Sequence, residues 1–275
     1  MLCPRRPSRE RKEPDVARPD RFTGRTVVVT GGAGGIGREV CAGFAAEGAS
    51  VAVLDLDPDQ VTRVAQAIED RYGGAVVGRV VDVRDPSAAR QAMVEVHERL
   101  GGPNVLVCLA GGSLGTPTAT PEVDPADLDL VVDANLKGTF YCCQAALPYL
   151  TAAGGGAIVT TSSIGGRQPS PVTGVPYAAA KAAIIGLTKR LAREVGAAGI
   201  RVNAVAPGLF LTARLQATYD AMPAAERDDV LNAIPLGRFP ELREVVDPIL
   251  FLASDDASYI TGVTLDVNGG RFMPA

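Results

Sequence analysis

Seven short apolar runs, most of them separated by a helical pattern, constrain this chain more than any other feature. They are Thr26–Thr30, Ser50–Leu54, Ala75–Val81, Val105–Leu109, Ala157–Thr161, Arg201–Val205 and Val263–Val267. The runs are short and rich in β-branched residues, and several are apolar throughout, as strands buried on both faces must be. Helical patterns fill most of the gaps, at Gly35–Glu47, Asp57–Tyr72, Pro86–Leu100, Pro125–Leu150, Val175–Val195 and Glu241–Ala253. Strands alternating with helices imply right-handed crossovers. The expected fold is therefore α/β: a single doubly wound, seven-stranded parallel sheet with helices on both faces. No composition break divides the chain, so one domain is expected over residues 22–275.

Composition narrows the function. Hydrophobic residues make up 47% and aromatics only 5%, which suits helices packed closely on a sheet. A net charge of -4 argues against a nucleic-acid partner. No apolar run is long enough to cross a bilayer and no signal-peptide pattern opens the chain, so a cytoplasmic protein without a membrane partner is expected. Residues 1–21, with Arg5, Arg6, Arg9, Arg11 and Lys12 close together, read as a disordered basic tail. The five cysteines have no metal-ligand spacing, and His97 is the only histidine. No metal site is expected, and neither a Ser-His-Asp triad nor a histidine base is available. Leu211–Ile234 interrupts the strand–helix rhythm, which makes about 209–236 a candidate lid.

The first strand runs into Thr30-Gly31-Gly32-Ala33-Gly34-Gly35-Ile36-Gly37 and then a helix. Such a turn at the carboxyl edge of a parallel sheet presents backbone N–H groups and a helix N-terminus to a pyrophosphate. Gly31 suits the tight turn, Gly35 a close phosphate approach and Gly37 close packing. The second strand ends at Asp55, where a carboxylate can accept hydrogen bonds from ribose hydroxyls and repel a 2′-phosphate. That favours NAD over NADP, although Arg38 lies in the first helical turn. Asp82 and Val83, after the third strand, are placed to meet the adenine edge; Asp85 competes with Asp82 for the role of helix cap.

Tyr177 and Lys181 stand at i and i+4 at the start of a helix, hence on one face. A free phenol with a pKa near about 10 is a poor base at neutral pH. A neighbouring ammonium stabilises its phenolate, so Tyr177 can exchange a proton with an alcohol or carbonyl oxygen. The fifth strand leads to Ser162-Ser163, either of which can hydrogen-bond that oxygen. Asn135 sits in a helical pattern that Asn disfavours, as a core residue or a holder of a water or backbone group near Lys181.

Taken in order, TGGAGGIG, Asp55, Asp82-Val83, Ala110-Gly111, Asn135-Leu-Lys-Gly138, Ser162-Ser163, Tyr177-Ala-Ala-Ala-Lys181, Asn203-Ala-Val-Ala-Pro207-Gly208 with Thr212, and TGVTLDVNGG resemble the short-chain dehydrogenase/reductase family over about residues 24–270. The resemblance implies a Rossmann fold and a catalytic set of Asn135, Ser163, Tyr177 and Lys181. It assigns the cofactor to Gly31, Gly35, Ile36, Gly37, Asp55, Asp82, Val83, Ala110, Gly111, Tyr177, Lys181, Pro207, Gly208 and Thr212. Cys108-Leu109 departs from the Asn-Asn usual before Ala-Gly and removes amides that brace the sheet edge. The interval from Ser163 to Tyr177 is about one residue longer than usual.

The substrate is expected among Ser113, Leu114, Ile164, Gln168, Val172, Gly174 and a lid with Leu209, Phe210, Leu211, Leu215 and Tyr219. These mostly apolar side chains suggest a medium-sized hydrophobic or cyclic secondary alcohol or ketone; Arg167 and Arg214 could greet an acidic group. Two other readings stay open: an NADPH-dependent 3-oxoacyl thioester reductase, and a non-catalytic dinucleotide sensor. A homo-oligomer, tetramer or dimer, is expected through the helices at 125–150 and 175–195.

Overall fold

The computed structural model describes residues 18–170, 172–212, 216 and 219–274. Seven strands form one wholly parallel sheet: β1 (Thr26–Thr30), β2 (Ser50–Asp55), β3 (Val76–Val80), β4 (Val105–Cys108), β5 (Gly156–Thr161), β6 (Ile200–Pro207) and β7 (Thr264–Val267). The order across it is β3-β2-β1-β4-β5-β6-β7. Side chains alternate between two cores, so Val27, Val29, Val105 and Val107 face one and Val28, Leu106 and Cys108 the other. The first core is closed by α1 (Gly35–Ala46), α2 (Pro58–Tyr72) and α8 (Arg243–Ala253). The second is closed by α3 (Pro86–Leu100), α5 (Gly138–Ala152) and the end of α6 (Val175–Val195). Both faces are covered over the central strands, which is why β1, β2, β4 and β5 read as largely apolar runs, while the edge strands β3 and β7 are partly exposed.

Helix boundaries follow local chemistry. Asp57 caps α2 by accepting the N–H groups of Asp59 and Gln60, and Asp85 caps α3 through Ser87 N. Asp82 is thereby free of capping and pairs with Arg84 at 2.6 Å. The helix expected over Pro125–Leu150 is divided: α4 (Pro125–Val132) passes through a π-turn at Asp133–Lys137 into α5. Gly138 N–H reaches back five residues to Asp133 O, and such wide turns often mark functional sites. In the expected lid, α7 (Ala224–Asn232) is a short helix, and positions 213–215 and 217–218 lie outside the described residues.

The end of the expected tail, residues 18–21, is part of the described fold. Residues 1–17 lie outside the described part, but Arg21 makes a two-pronged pair with buried Glu47 (Nη2 to Oε1 2.8 Å), and Phe22 packs on Phe44 in the core. The guanidinium fork matches a carboxylate and ties this segment to the fold.

Sheet order reverses between β1 and β4, so the loops leaving those strands meet. At Gly31, with φ +68°, a Cβ would lie 2.7 Å from Ala110 N. At Gly37 a Cβ would lie 2.0 Å from Gly31 O, inside van der Waals contact with backbone. We predict that Gly37→Ala destabilises the fold by about 1–3 kcal/mol despite alanine's better helix propensity. Denaturant unfolding checks this, and an unchanged midpoint would show that the loop relaxes freely.

Candidate active site

The site is built where β5 docks on α6. Beyond β5, Ser162 Oγ donates to Lys181 O at 2.7 Å, and Lys181 Nζ donates to Thr161 O at 2.8 Å. A Cβ on Gly166 would sit 2.6 Å from Lys181 C, so only glycine allows this approach of backbone to backbone. Ser162 is thus spent on the helix, leaving Ser163 for the cavity. Around Gly165 three side chains converge: a Cβ there would lie 3.0 Å from Thr173 Oγ1 and 3.7 Å from both Ser163 Oγ and Tyr177 Cε1. Ser163 Oγ also accepts Gly165 N–H at 3.1 Å, and its own proton remains available to donate.

Lys181 is 4% exposed, and its ammonium lies 5.6 Å from the centre of the Tyr177 ring. Burial pulls its pKa down to about 8, so it is still charged at neutral pH, beside the phenol it can acidify. Asn135 is a buried core residue that holds backbone groups. Its Nδ2 donates to Val131 O (2.8 Å) and Gly112 O (2.9 Å), and its Oδ1 accepts Gly112 N–H at 2.9 Å. It fixes the loop after β4, and Gly111, at φ +125°, leaves room for its amide. The bracing lost with the usual Asn-Asn pair is carried partly by Thr30, whose hydroxyl accepts Ala110 N–H at 3.4 Å. Cys108 is buried, and a hydrogen bond with Cys143 pushes its thiol up, so it stays protonated.

The cofactor candidates line the carboxyl edge, and the residues present fit a dinucleotide. Unlike α2 and α3, α1 opens with no side-chain cap, and no acid stands in its first turn, leaving its N–H groups to an anion. Thr212 lies against that turn: a Cβ on Gly35 would meet its methyl at 3.0 Å. Asp55 accepts Ala33 N–H (3.0 Å) and Leu56 N–H (2.7 Å) and keeps lone pairs for ribose hydroxyls. Ile36 packs against the core, Val83 lies under Gly138, and Pro207 ends β6 with Gly208 N held by Val267 O at 2.8 Å.

One cavity, of about 90 Å³ and open on one side, is lined by Gly112, Ser113, Ser163, Ile164, Tyr177, Leu209 and four further residues, Ser170, Val172, Thr173 and Arg271, beside Gly208. Several expectations change here. Phe210 is withdrawn from the substrate wall: it is 2% exposed and packed in the core. Gln168 donates its amide to Arg271 O rather than facing the cavity. Arg167 is consumed by Asp266 at 2.8 Å and by the Phe272 ring. Arg214 and Leu215 lie outside the described residues. Sequence reasoning missed Arg271, Ser170 and Thr173; the signal for Arg271 was its place directly after the glycine turn that ends the last strand. Among the described residues, no three His, Cys, Asp or Glu side chains gather to hold a metal, and no helix is long and apolar enough to span a membrane.

A family profile described as enoyl-(acyl carrier protein) reductase matches residues 31–271. The chain belongs to the short-chain dehydrogenase/reductases. It is 36% identical to a 3-oxoacyl-[acyl-carrier-protein] reductase of Thermotoga maritima, covering 91% of this chain and 98% of the relative. It is 34% identical to an NAD(+)-dependent 2-dehydro-3-deoxy-L-rhamnonate dehydrogenase of a Sphingomonas species, over 91% and 96%. Among solved structures, a 3-oxoacyl-[acyl-carrier protein] reductase from Brucella melitensis superposes with a TM-score of 0.87 at 34% identity, covering 96% and 97%. This short-chain dehydrogenase/reductase is therefore an oxidoreductase of a family that uses nicotinamide dinucleotides.

Two outcomes test the geometry. Phe210→Ala should cost about 3–5 kcal/mol of stability, as a core cavity does, measured by denaturant unfolding; a loss near zero would return Phe210 to the lid. Lys181 has a folded pKa below its unfolded value near about 10.4, so folding releases its proton and stability rises as pH climbs from about 8 to that value. Lys181→Met should accordingly raise the melting temperature most at pH 7, with the gain shrinking toward pH 10. A gain that is flat across pH would contradict the buried charge.

Proposed function

We propose that this enzyme is an NAD(H)-dependent oxidoreductase that moves hydride between nicotinamide and a secondary alcohol or ketone with a medium-sized hydrophobic or cyclic body. The observation that carries the reading is the convergence of Ser163 and Tyr177 around Gly165, with buried Lys181 behind the tyrosine ring. Tyr177 gives its hydroxyl proton to the carbonyl oxygen in reduction and takes the alcohol proton in oxidation. Ser163 donates to the same oxygen as charge develops on it. Lys181 stabilises the phenolate left on Tyr177 and is placed to bind the nicotinamide ribose; Asn135 holds the Gly112 loop over the site. Bound nicotinamide would supply or accept the hydride at the carbon. Ile164, Val172 and Leu209 give the substrate body an apolar wall, with Ser113 at its edge.

Asp55 supports NAD, because a 2′-phosphate would face a carboxylate that already orders the glycine loop through Ala33. Arg38, in the first turn of α1, pairs with Glu39 at 3.3 Å. A second reading, an NADPH-dependent 3-oxoacyl thioester reductase, is favoured by the names of the family profile and of the Thermotoga maritima relative, and opposed by Asp55. The proposal carries with it the cytoplasmic location and the homo-oligomeric assembly expected from the sequence.

Tyr177→Phe should lower turnover by at least a thousandfold while NADH still binds, read by reduced-nicotinamide absorbance and by fluorescence titration. Near-normal turnover in that variant would rule out the mechanism. Asp55→Ala should shift the NAD-to-NADP ratio of kcat/KM toward NADP by at least tenfold; an unchanged ratio would support the second reading.

A further inference from the structure

The chain leaving β7 turns through Asn268-Gly269-Gly270, with both glycines at positive φ (+64° and +86°). Cβ atoms there would press on Ile234 at 2.8 Å and Pro235 at 3.0 Å. Asn268 Oδ1 accepts the N–H groups of Gly270 (3.0 Å) and Phe272 (3.3 Å), and Arg271 N donates to Asn268 O at 3.2 Å. From the other side, Gln168 Nε2 donates to Arg271 O at 3.4 Å. The Arg271 backbone is thus fixed, and its side chain lines the cavity that holds Ser163 and Tyr177.

No acid answers this arginine among the described residues. Its neighbour Arg167 has Asp266, but among the described residues Arg271 has no ion pair, and its Nη1 is buried without a hydrogen-bond partner. Burial with no counter-charge pulls its pKa below the usual arginine value, though the group stays charged. Two more atoms on the same cavity, Ser170 Oγ and Thr173 Oγ1, are also buried and unpartnered. Three side chains that line one cavity thus each carry a buried donor without a protein partner, which suits a neighbouring ligand with negative charge and several acceptor lone pairs.

We propose that Arg271 is a specificity-determining residue that binds a carboxylate of the substrate, joined by the hydroxyls of Ser170 and Thr173. The natural substrates are then secondary hydroxy acids and the matching keto acids, with a carboxylate close to the reacting carbon of the body described above, rather than neutral alcohols. This rests on reading the cavity as the substrate site. Thr173 and Tyr177 both border Gly165, so the acid lies within a few bonds of the reacting carbon. A carboxylate fits better than a phosphate ester: the cavity is about 90 Å³, must also hold the reacting carbon, and Arg271 is its one lining cation among the described residues. A planar carboxylate matches the guanidinium and leaves one charge facing one charge. Ile164, Val172 and Leu209 then cover the carbon skeleton between the two polar ends.

The test is calorimetric titration of the full-length protein, saturated with NADH, with butyrate and with butyramide. The expected result is butyrate binding at least tenfold tighter, a preference that Arg271→Met abolishes, Arg271→Lys partly retains and Thr173→Val reduces severalfold. In parallel, the ratio of kcat/KM for a short keto acid over its amide should fall at least a hundredfold in Arg271→Met. Equal binding of the two probes, no binding of butyrate, or an intact preference in a folded Arg271→Met protein would overturn the proposal. Failure of the underlying chemistry looks different: Tyr177→Phe would keep full turnover while the butyrate preference persisted.

Discussion

The site depends on one contact, the close docking of the end of β5 on the first turns of α6. Two reciprocal hydrogen bonds define it, Ser162 Oγ to Lys181 O and Lys181 Nζ to Thr161 O, and the bare backbone of Gly166 lets the two segments meet. In the proposed mechanism, the reacting groups hang from this joint. Ser163 is carried by the strand side, Tyr177 and Lys181 by the helix side, and their mutual placement is only as good as the joint between them. Preorganised donors of this kind act without rearranging during reaction, where loosely held ones would lose most of their effect.

The joint also sets the electrostatics. Lys181 reaches Thr161 O only by giving up solvent, and that burial brings its pKa to about 8. The charge is costly to the fold and useful to the chemistry, a compromise common at functional sites. Across the sheet reversal, the opposite choice is made: α1 leaves its N-terminus uncapped where α2 and α3 are capped by Asp57 and Asp85. One end of the site thus keeps an uncapped helix N-terminus, and the other a guanidinium, Arg271, with no ion pair among the described residues.

Much of this was legible in the sequence, for physical reasons. Strands buried on both faces and helices with strong start signals announce themselves, so Pro86–Leu100 and Val175–Val195 match their expected bounds. Local motifs such as the glycine loop and Tyr177 with Lys181 carry their geometry in their spacing. Properties set by distant contacts were not legible. The π-turn at Asp133–Lys137 arises within one long helical pattern, and Phe210 reads as a lid residue until it is seen buried in the core. Arg167 and Arg271 look alike in sequence; only the fold brings Asp266 to the first and leaves the second facing the cavity.

The most direct measurement of the account is the kinetics of Gly166→Ala, whose added methyl pushes β5 and α6 apart without touching the glycine loop of β1 and α1. In a folded Gly166→Ala protein kcat is expected to fall at least tenfold. A folded Gly166→Ala enzyme with wild-type kcat would contradict the account, because the catalytic groups would then be placed by something other than this joint.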